Sequence, residues 1–217
     1  MKKYFAELIG TFALVFCGTG AIVINEVSHG AVTNAGIALT FGLIVLSMIY
    51  ALGDVSGAHF NPAVTLAFSA AKRFSPTEIL PYVAAQMSGA LLASIVLRIL
   101  FPENRSLGST HPAGAELQSF VLEIILTFLL MFVILSVSRE AKEKGITAGI
   151  AISSVVGLEA MFAGPISGAS MNPARSIAPA LVSGNLQSLW IYICAPVAGA
   201  LFAVIGFNII HPDTPKI

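Results

Sequence analysis

The apolar positions fall into six long runs, each with few polar residues, and two short ones. The long runs predict helices near residues 4–24, 34–53, 80–101, 117–138, 146–163 and 188–210. Each meets or approaches the ~20 helical residues needed to cross a hydrocarbon core of about 30 Å. The short runs, near 61–71 and 172–182, cannot cross one. Gly and Pro bracket both: Ser56-Gly57-Ala58 and Pro62 at the first, Gly164-Pro165 through Gly168 and Pro173 at the second. Short, interrupted apolar segments at matching places in two halves point to a site at the membrane midplane.

The halves repeat. Glu7-x3-Thr11-Phe12 returns as Glu123-x3-Thr127-Phe128, and Ala35-Gly36-Ile37-Ala38 as Ala148-Gly149-Ile150-Ala151. Ser56-Gly57-Ala58-x-x-Asn61-Pro62-Ala63 returns as Ser167-Gly168-Ala169-x-x-Asn172-Pro173-Ala174. The offsets are 116, 113 and 111 residues, so only loop lengths drift. Residues 1–217 therefore read as one membrane domain with halves at about 1–105 and 115–217. Three spans per half require the second copy to lie inverted in the bilayer, with the short segments entering from opposite faces.

Composition agrees with the pattern. Of 217 residues 56% are hydrophobic and 10% charged, and mean hydropathy is +0.88. Soluble domains carry about 25% charged residues. Formal net charge is zero, so no basic surface is expected to recruit nucleic acid; the expected partner is the lipid bilayer. Lys2, Lys3, Lys72, Arg73, Arg139, Lys142, Lys144 and Lys216 fall on one side, against Arg98 and Arg105 on the other. That bias places both termini in the cytoplasm. The first run lacks a small-residue cleavage site and reads as a span, not a signal peptide. Cys17 and Cys194 lie in apolar stretches and read as buried free thiols. No cluster has metal-ligand spacing and no nucleophile–base pair is legible, so no enzyme activity, metal or cofactor is expected.

The chemistry sits at the two short segments. Asn61-Pro62 and Asn172-Pro173 each match a helix start, with Asn as N-cap and Pro at the first position. One copy would read as a capped surface helix. Two copies, each opening a segment too short to span, read as half-helices meeting by their N-termini. The paired dipoles would repel cations there, and the Asn amides would donate to a neutral solute. Arg175 either snorkels to the interface or, as its place beside the second motif favours, lines the pore. Glu7 and Glu123 could relay protons, but read better as acceptors for N–H groups of the non-helical loops. His59 either lines the cytoplasmic vestibule or packs there.

These motifs resemble the aquaporin, or major intrinsic protein, family over essentially the whole chain. The resemblance implies an all-α membrane fold, a right-handed bundle of six transmembrane helices with two re-entrant half-helices. It also implies a homotetramer with one pore per protomer, passing water and small uncharged solutes and excluding ions. A filter outside the paired motifs carries over by position to Phe41, Ala160, Ala169 and Arg175. Strict water channels typically place His where this chain has Ala160, which argues against strict water selectivity. Glycerol facilitators usually carry Asp where Ser176 stands. The run Phe162 to Arg175, and Tyr192-Ile193 before Pro196, resemble the plant nodulin-like branch and its bacterial relatives, which conduct glycerol and metalloid hydroxides. Phe41 exceeds that branch's smallest-residue filters and argues against silicic acid. The short termini imply a prokaryotic member, in the plasma (inner) membrane. A water-selective channel is the alternative, and a secondary transporter a remote one. Glu159, beside the filter, is expected to bond loop backbone or else to protrude toward the pore.

Overall fold

The computed structural model describes residues 1–138 and 142–212. Arg139 and Lys216, used above for orientation, lie outside the described residues, as do the side chains of Lys142 and Lys144. The described residues form helices α1 (Lys2–Val27), α2 (Thr33–Ser56), α3 (Pro62–Ala70), α4 (Ile79–Leu100), α5 (Glu116–Val137), α6 (Lys142–Ser167), α7 (Pro173–Ser183) and α8 (Leu189–Ile210). All but α3 and α7 are long and apolar enough to cross a membrane. At 1.5 Å per residue, the 9-residue α3 and 11-residue α7 reach only about half-way.

Three helices run further than their apolar stretches suggested; α1 reaches Val27. α2 continues to Ser56 and α6 through Gly164-Pro165 to Ser167. Proline inside a helix frees the carbonyl four residues earlier. Here the Met161 carbonyl accepts from Asn34 Nδ2 at 2.7 Å, so α6 need not break at Pro165. α2 and α6 end at a left-handed glycine, Gly57 at φ 83° and Gly168 at φ 84°. These are the C-terminal stops that glycine supplies without steric cost.

Helix packing is organised in matched pairs. α1 packs on α4, and α5 on α8, while α2 against α6 joins the two halves. α3 packs against α8 and α7 against α4, so each short helix is gripped by a long helix of the opposite half. In lipid no hydrophobic force draws helices together, and small residues permit close approach instead. Gly89 lets α4 meet the Leu8 carbonyl of α1, where a Cβ would stand at 2.2 Å. Gly199 lets α8 meet the Ile124 carbonyl of α5, where a Cβ would stand at 2.3 Å.

Cys194 departs from expectation. It is exposed on α8, and Cys17 is half-buried. A lipid-facing surface is as apolar as a core, so hydrophobic neighbours in sequence do not decide burial.

Because both glycine contacts are with backbone, they cannot be relieved by a rotamer change. Gly89→Val and Gly199→Val should each lower the thermal unfolding midpoint of the detergent-purified protein, by overpacking worth about 1–3 kcal/mol. Gly53→Ala, whose Cβ would meet nothing within 4 Å, serves as control. Equal midpoints for all three would refute the close-packing account.

Candidate pore and its filter

The site is built on two loops, 57–60 and 168–171, that approach the centre as non-helical backbone. Ala58, Phe60, Ala169 and Met171 have φ of 52°, 48°, 40° and 52°. Non-glycine residues rarely hold such angles, and each costs on the order of 1–3 kcal/mol unless the surroundings fix it. Two fully buried glutamates fix them. Glu7 Oε1 accepts from the Ser56 hydroxyl at 2.7 Å and the His59 N–H at 3.0 Å. Its Oε2 accepts from the Phe60 N–H at 2.8 Å and Gln86 Nε2 at 2.7 Å. Glu123 Oε1 accepts from the Ser167 hydroxyl at 2.7 Å and the Ser170 N–H at 2.8 Å, and Oε2 from the Met171 N–H at 2.9 Å.

These bonds orient the opposite edge of each peptide. All described peptide bonds are trans, so an N–H and the preceding carbonyl point in opposite directions. With the N–H groups of His59, Phe60, Ser170 and Met171 on the glutamates, the carbonyls of Ala58, His59, Ala169 and Ser170 turn away from them. Those four residues line one continuous cavity. The cavity acquires a row of acceptors facing an apolar wall that includes Val45, Ile49, Leu130, Ile152 and Val156.

The motif asparagines meet at the middle. Asn61 caps α3 by accepting from the Ala63 N–H at 2.9 Å, and Asn172 caps α7 from the Ala174 N–H at 3.0 Å. Each amide nitrogen also reaches across: Asn61 Nδ2 donates to the Met171 carbonyl at 2.7 Å, and Asn172 Nδ2 to the Phe60 carbonyl at 2.8 Å. The half-helices are thus tied N-terminus to N-terminus, with both asparagines on the cavity. Pro62, Ala63, Pro173 and Ala174 are buried behind them.

Phe41, Ala160, Ala169 and Arg175 all line the same cavity. Arg175 is 1% exposed. Its Nη1 donates to the Gly108 carbonyl at 2.8 Å, its Cζ lies 5.2 Å from the Phe41 ring centroid, and its Nε has no hydrogen-bond partner among the described residues. Among those residues no carboxylate comes within ion-pair distance of it. The guanidinium therefore brings a positive charge and several N–H donors to the wall of a cavity that Ala160 and Ala169 also line. The Gly108 contact was not legible in the sequence, because a backbone carbonyl carries no residue signature. It depends on Asn104, whose Oδ1 accepts from the Leu107 N–H at 2.7 Å, and on Gly108, where a Cβ would stand 2.9 Å from the Thr19 carbonyl.

His59 lines the cavity and also packs, its ring 4.8 Å from Phe68, 4.9 Å from Phe74 and 5.2 Å from Tyr82. Its Nδ1 lies 3.1 Å from Thr65 Oγ1, and in the second half Ser170 Oγ lies 2.6 Å from Ser176 Oγ. Ser176 is fully buried and also accepts from Thr110 Oγ1 at 2.8 Å, so this position supports the loop from behind. Gln86, which bonds Glu7 and Thr65, and Thr110 were both missed in the sequence; a lone polar residue on an apolar helix gives no clue to its partner.

Glu159 corrects an expectation. It bonds no loop backbone and does not line the cavity; it is 1% exposed, and both carboxylate oxygens lack a hydrogen-bond partner among the described residues. Glu123 has already taken the loop N–H groups, and residue 159 projects about 100° around α6 from Ala160.

The sequence model of the Major intrinsic protein family matches residues 1–207. The chain belongs to the major intrinsic protein family. Among relatives, it is 48% identical over 212 residues to aquaporin NIP1-1 of Oryza sativa subsp. japonica, covering 97% of this chain and 75% of that one. It is 45% identical over 217 residues to nodulin-26 of Glycine max, covering 99% and 80%. The aquaglyceroporin from Plasmodium falciparum superposes with a TM-score of 0.88 at 22% identity, covering 97% of both chains, and shows the shared fold. This member of the family is thus a multi-pass membrane protein. The two sequence relatives are plant proteins and lend no support to the prokaryotic source expected from the short termini.

Glu123→Ala would strand the Ser167 hydroxyl and two loop N–H groups, at about 1–3 kcal/mol for each buried donor. It should yield little folded protein by size-exclusion chromatography, while Glu123→Gln, keeping one carbonyl acceptor, should fall between it and wild type. Wild-type yield and thermal stability for Glu123→Ala would refute the loop-anchoring role.

Proposed function

We propose that the chain is a passive channel for water and small uncharged solutes, of the size and polarity of glycerol and neutral metalloid hydroxides, that excludes ions and protons. One observation carries this reading: a single cavity joins His59, the paired Asn61 and Asn172, and the opening bounded by Phe41, Ala160, Ala169 and Arg175. The plant relatives, an aquaporin among them, support it.

The cavity suits a neutral solute. A polyol can lay its carbons on the apolar wall and the Phe41 ring, accept from Arg175 and the asparagine amides, and donate to loop carbonyls. A cation meets the guanidinium and two helix N-termini. A proton carried along a water file meets the same charges. The water-selective alternative requires Phe41 and Arg175 alone to close the filter, with two alanines on the same cavity. A coupled transporter would need a carboxylate on the pathway; Glu7, Glu123 and Glu159 do not line the cavity.

Several features of the assembly complete the reading. Glu7 and Glu123 anchor the re-entrant loops, and the halves at about 1–105 and 115–217 lie inverted with respect to each other in one channel domain. Both termini face the cytoplasm. The exposed apolar surfaces of the spans meet lipid and, in part, other copies in a homotetramer.

Proteoliposomes shrunk in a glycerol gradient and followed by stopped-flow light scattering should re-swell. Ala160→His should cut glycerol entry by roughly tenfold or more, as expected for an added group in a close-fitting site, while keeping water flux. Glycerol exclusion by wild type, with unchanged selectivity in Ala160→His, would favour the water-selective alternative.

Under an imposed pH gradient, a pH-sensitive dye inside the vesicles should report no faster collapse than in protein-free liposomes. Arg175→Val should admit cations or protons before solute flux is lost. A leak scaling with wild-type protein content would refute the exclusion mechanism.

A further inference from the structure

The Phe41 ring is set by a residue that itself offers no side chain to the cavity. Gly18 is buried on α1, and a Cβ built there would lie 2.1 Å from Phe41 Cε1 and 2.5 Å from both Cδ1 and Cζ. The ring therefore rests on bare α1 backbone. The Arg175 guanidinium also stands over this ring, with Cζ 5.2 Å from the ring centroid. Any group added at residue 18 pushes the ring off α1 and so shifts it relative to Arg175 in the cavity that both line.

The same device recurs two turns earlier. A Cβ on Gly10 would lie 2.0 Å from Phe60 Cε1, in the loop before Asn61. Gly10, Leu14 and Gly18 are spaced by four and form one stripe of α1, with Leu14 itself on the cavity. The second half shows the converse. At the repeat offset of α5, Gly10 corresponds to Leu126 and Gly18 to Ile134, and Phe60 corresponds to Met171. Leu126, Ile134 and Met171 share one buried cluster. Where the first half has glycine under an aromatic ring, the second has a branched aliphatic and no ring. The two glycines of α1 thus match the bulk they receive, and do not merely permit helix packing.

We propose that Gly18 is a positioning residue for solute selectivity: by lacking a side chain it seats the Phe41 ring against α1 and so sets the aperture between that ring and Arg175. The inference rests on the channel reading above and assigns one determinant of its filter. Phe41 and Arg175 touch the solute, whereas Gly18 acts only through Phe41.

Alanine is a better helix former than glycine, so Gly18→Ala challenges the ring contact without weakening α1 itself. Its glycerol-to-water permeability ratio in proteoliposomes should fall roughly tenfold, the low end of what one added methyl-sized group does in a close-fitting site, with water flux largely retained. Gly18→Ala combined with Phe41→Leu should restore the ratio of Phe41→Leu alone, because leucine leaves room for the added methyl. Gly20→Ala, whose Cβ would meet only Leu97 Cδ2 at 3.4 Å, should keep the wild-type ratio. A purely structural role for Gly18 would lower both fluxes together and would not be rescued at residue 41. An unchanged ratio in folded Gly18→Ala, or a parallel loss of both fluxes without rescue, overturns the proposal. If Gly18→Ala does not fold, the double variant decides: folding with the selectivity of Phe41→Leu supports the seat, and failure to fold overturns it. Wild type passing no water would instead overturn the channel reading, so the two failures are distinguishable. Should wild type pass water but no glycerol, urea replaces glycerol as the probe.

Discussion

Residues 57–60 and 168–171 carry non-helical backbone to the depth of a bilayer's core, where every N–H turned into the protein must find an acceptor there. Glu7 and Glu123 provide those acceptors, and the rest of the site follows from them. By holding N–H groups on one side, they hold carbonyls on the other, and they fix four non-glycine residues at positive φ. The half-helices can then begin at the centre of the molecule, where the Asn61 and Asn172 amides cross to the opposite loop. Neither glutamate touches the cavity. They act as structural anchors, and their oxygens are spent on hydrogen bonds to the protein instead of on passing solutes.

The two halves use the same frame for different ends. His59 with Thr65 in the first half stands where Ser170 with Ser176 stands in the second. The larger imidazole is packed among three aromatic rings on the cavity, while Ser170, also on the cavity, pairs with a Ser176 buried behind the second loop. Arg175 has no counterpart in the first half, where Val64 stands at the equivalent repeat position. Two helix N-termini give the centre its near-symmetry, and one guanidinium, on the same cavity as Ala160 and Ala169, breaks it. Bulk is also traded between halves, glycine under aromatic rings on α1 against leucine and isoleucine on α5.

Much of this was legible in the sequence because each feature had to be written into local chemistry. A span needs about 20 apolar residues, a helix start at membrane depth needs an Asn-Pro cap, and a left-handed stop needs glycine. A twofold repeat written in such residues leaves few alternatives, so six spans, two half-helices and the positions of Asn61, Asn172 and Arg175 could be read directly. What only the tertiary structure decided were relations between residues far apart in the chain. The Gly108 carbonyl on Arg175, Gln86 on Glu7, the Asn34 amide that lets α6 run through Pro165, and Gly18 beneath Phe41 all join separate elements. Lipid also removes the usual polar mark of an outer surface, which is why Cys194 could look buried. Periodicity in a chain that is apolar throughout fixes where its helices lie, but which side chains meet depends on how those helices pack.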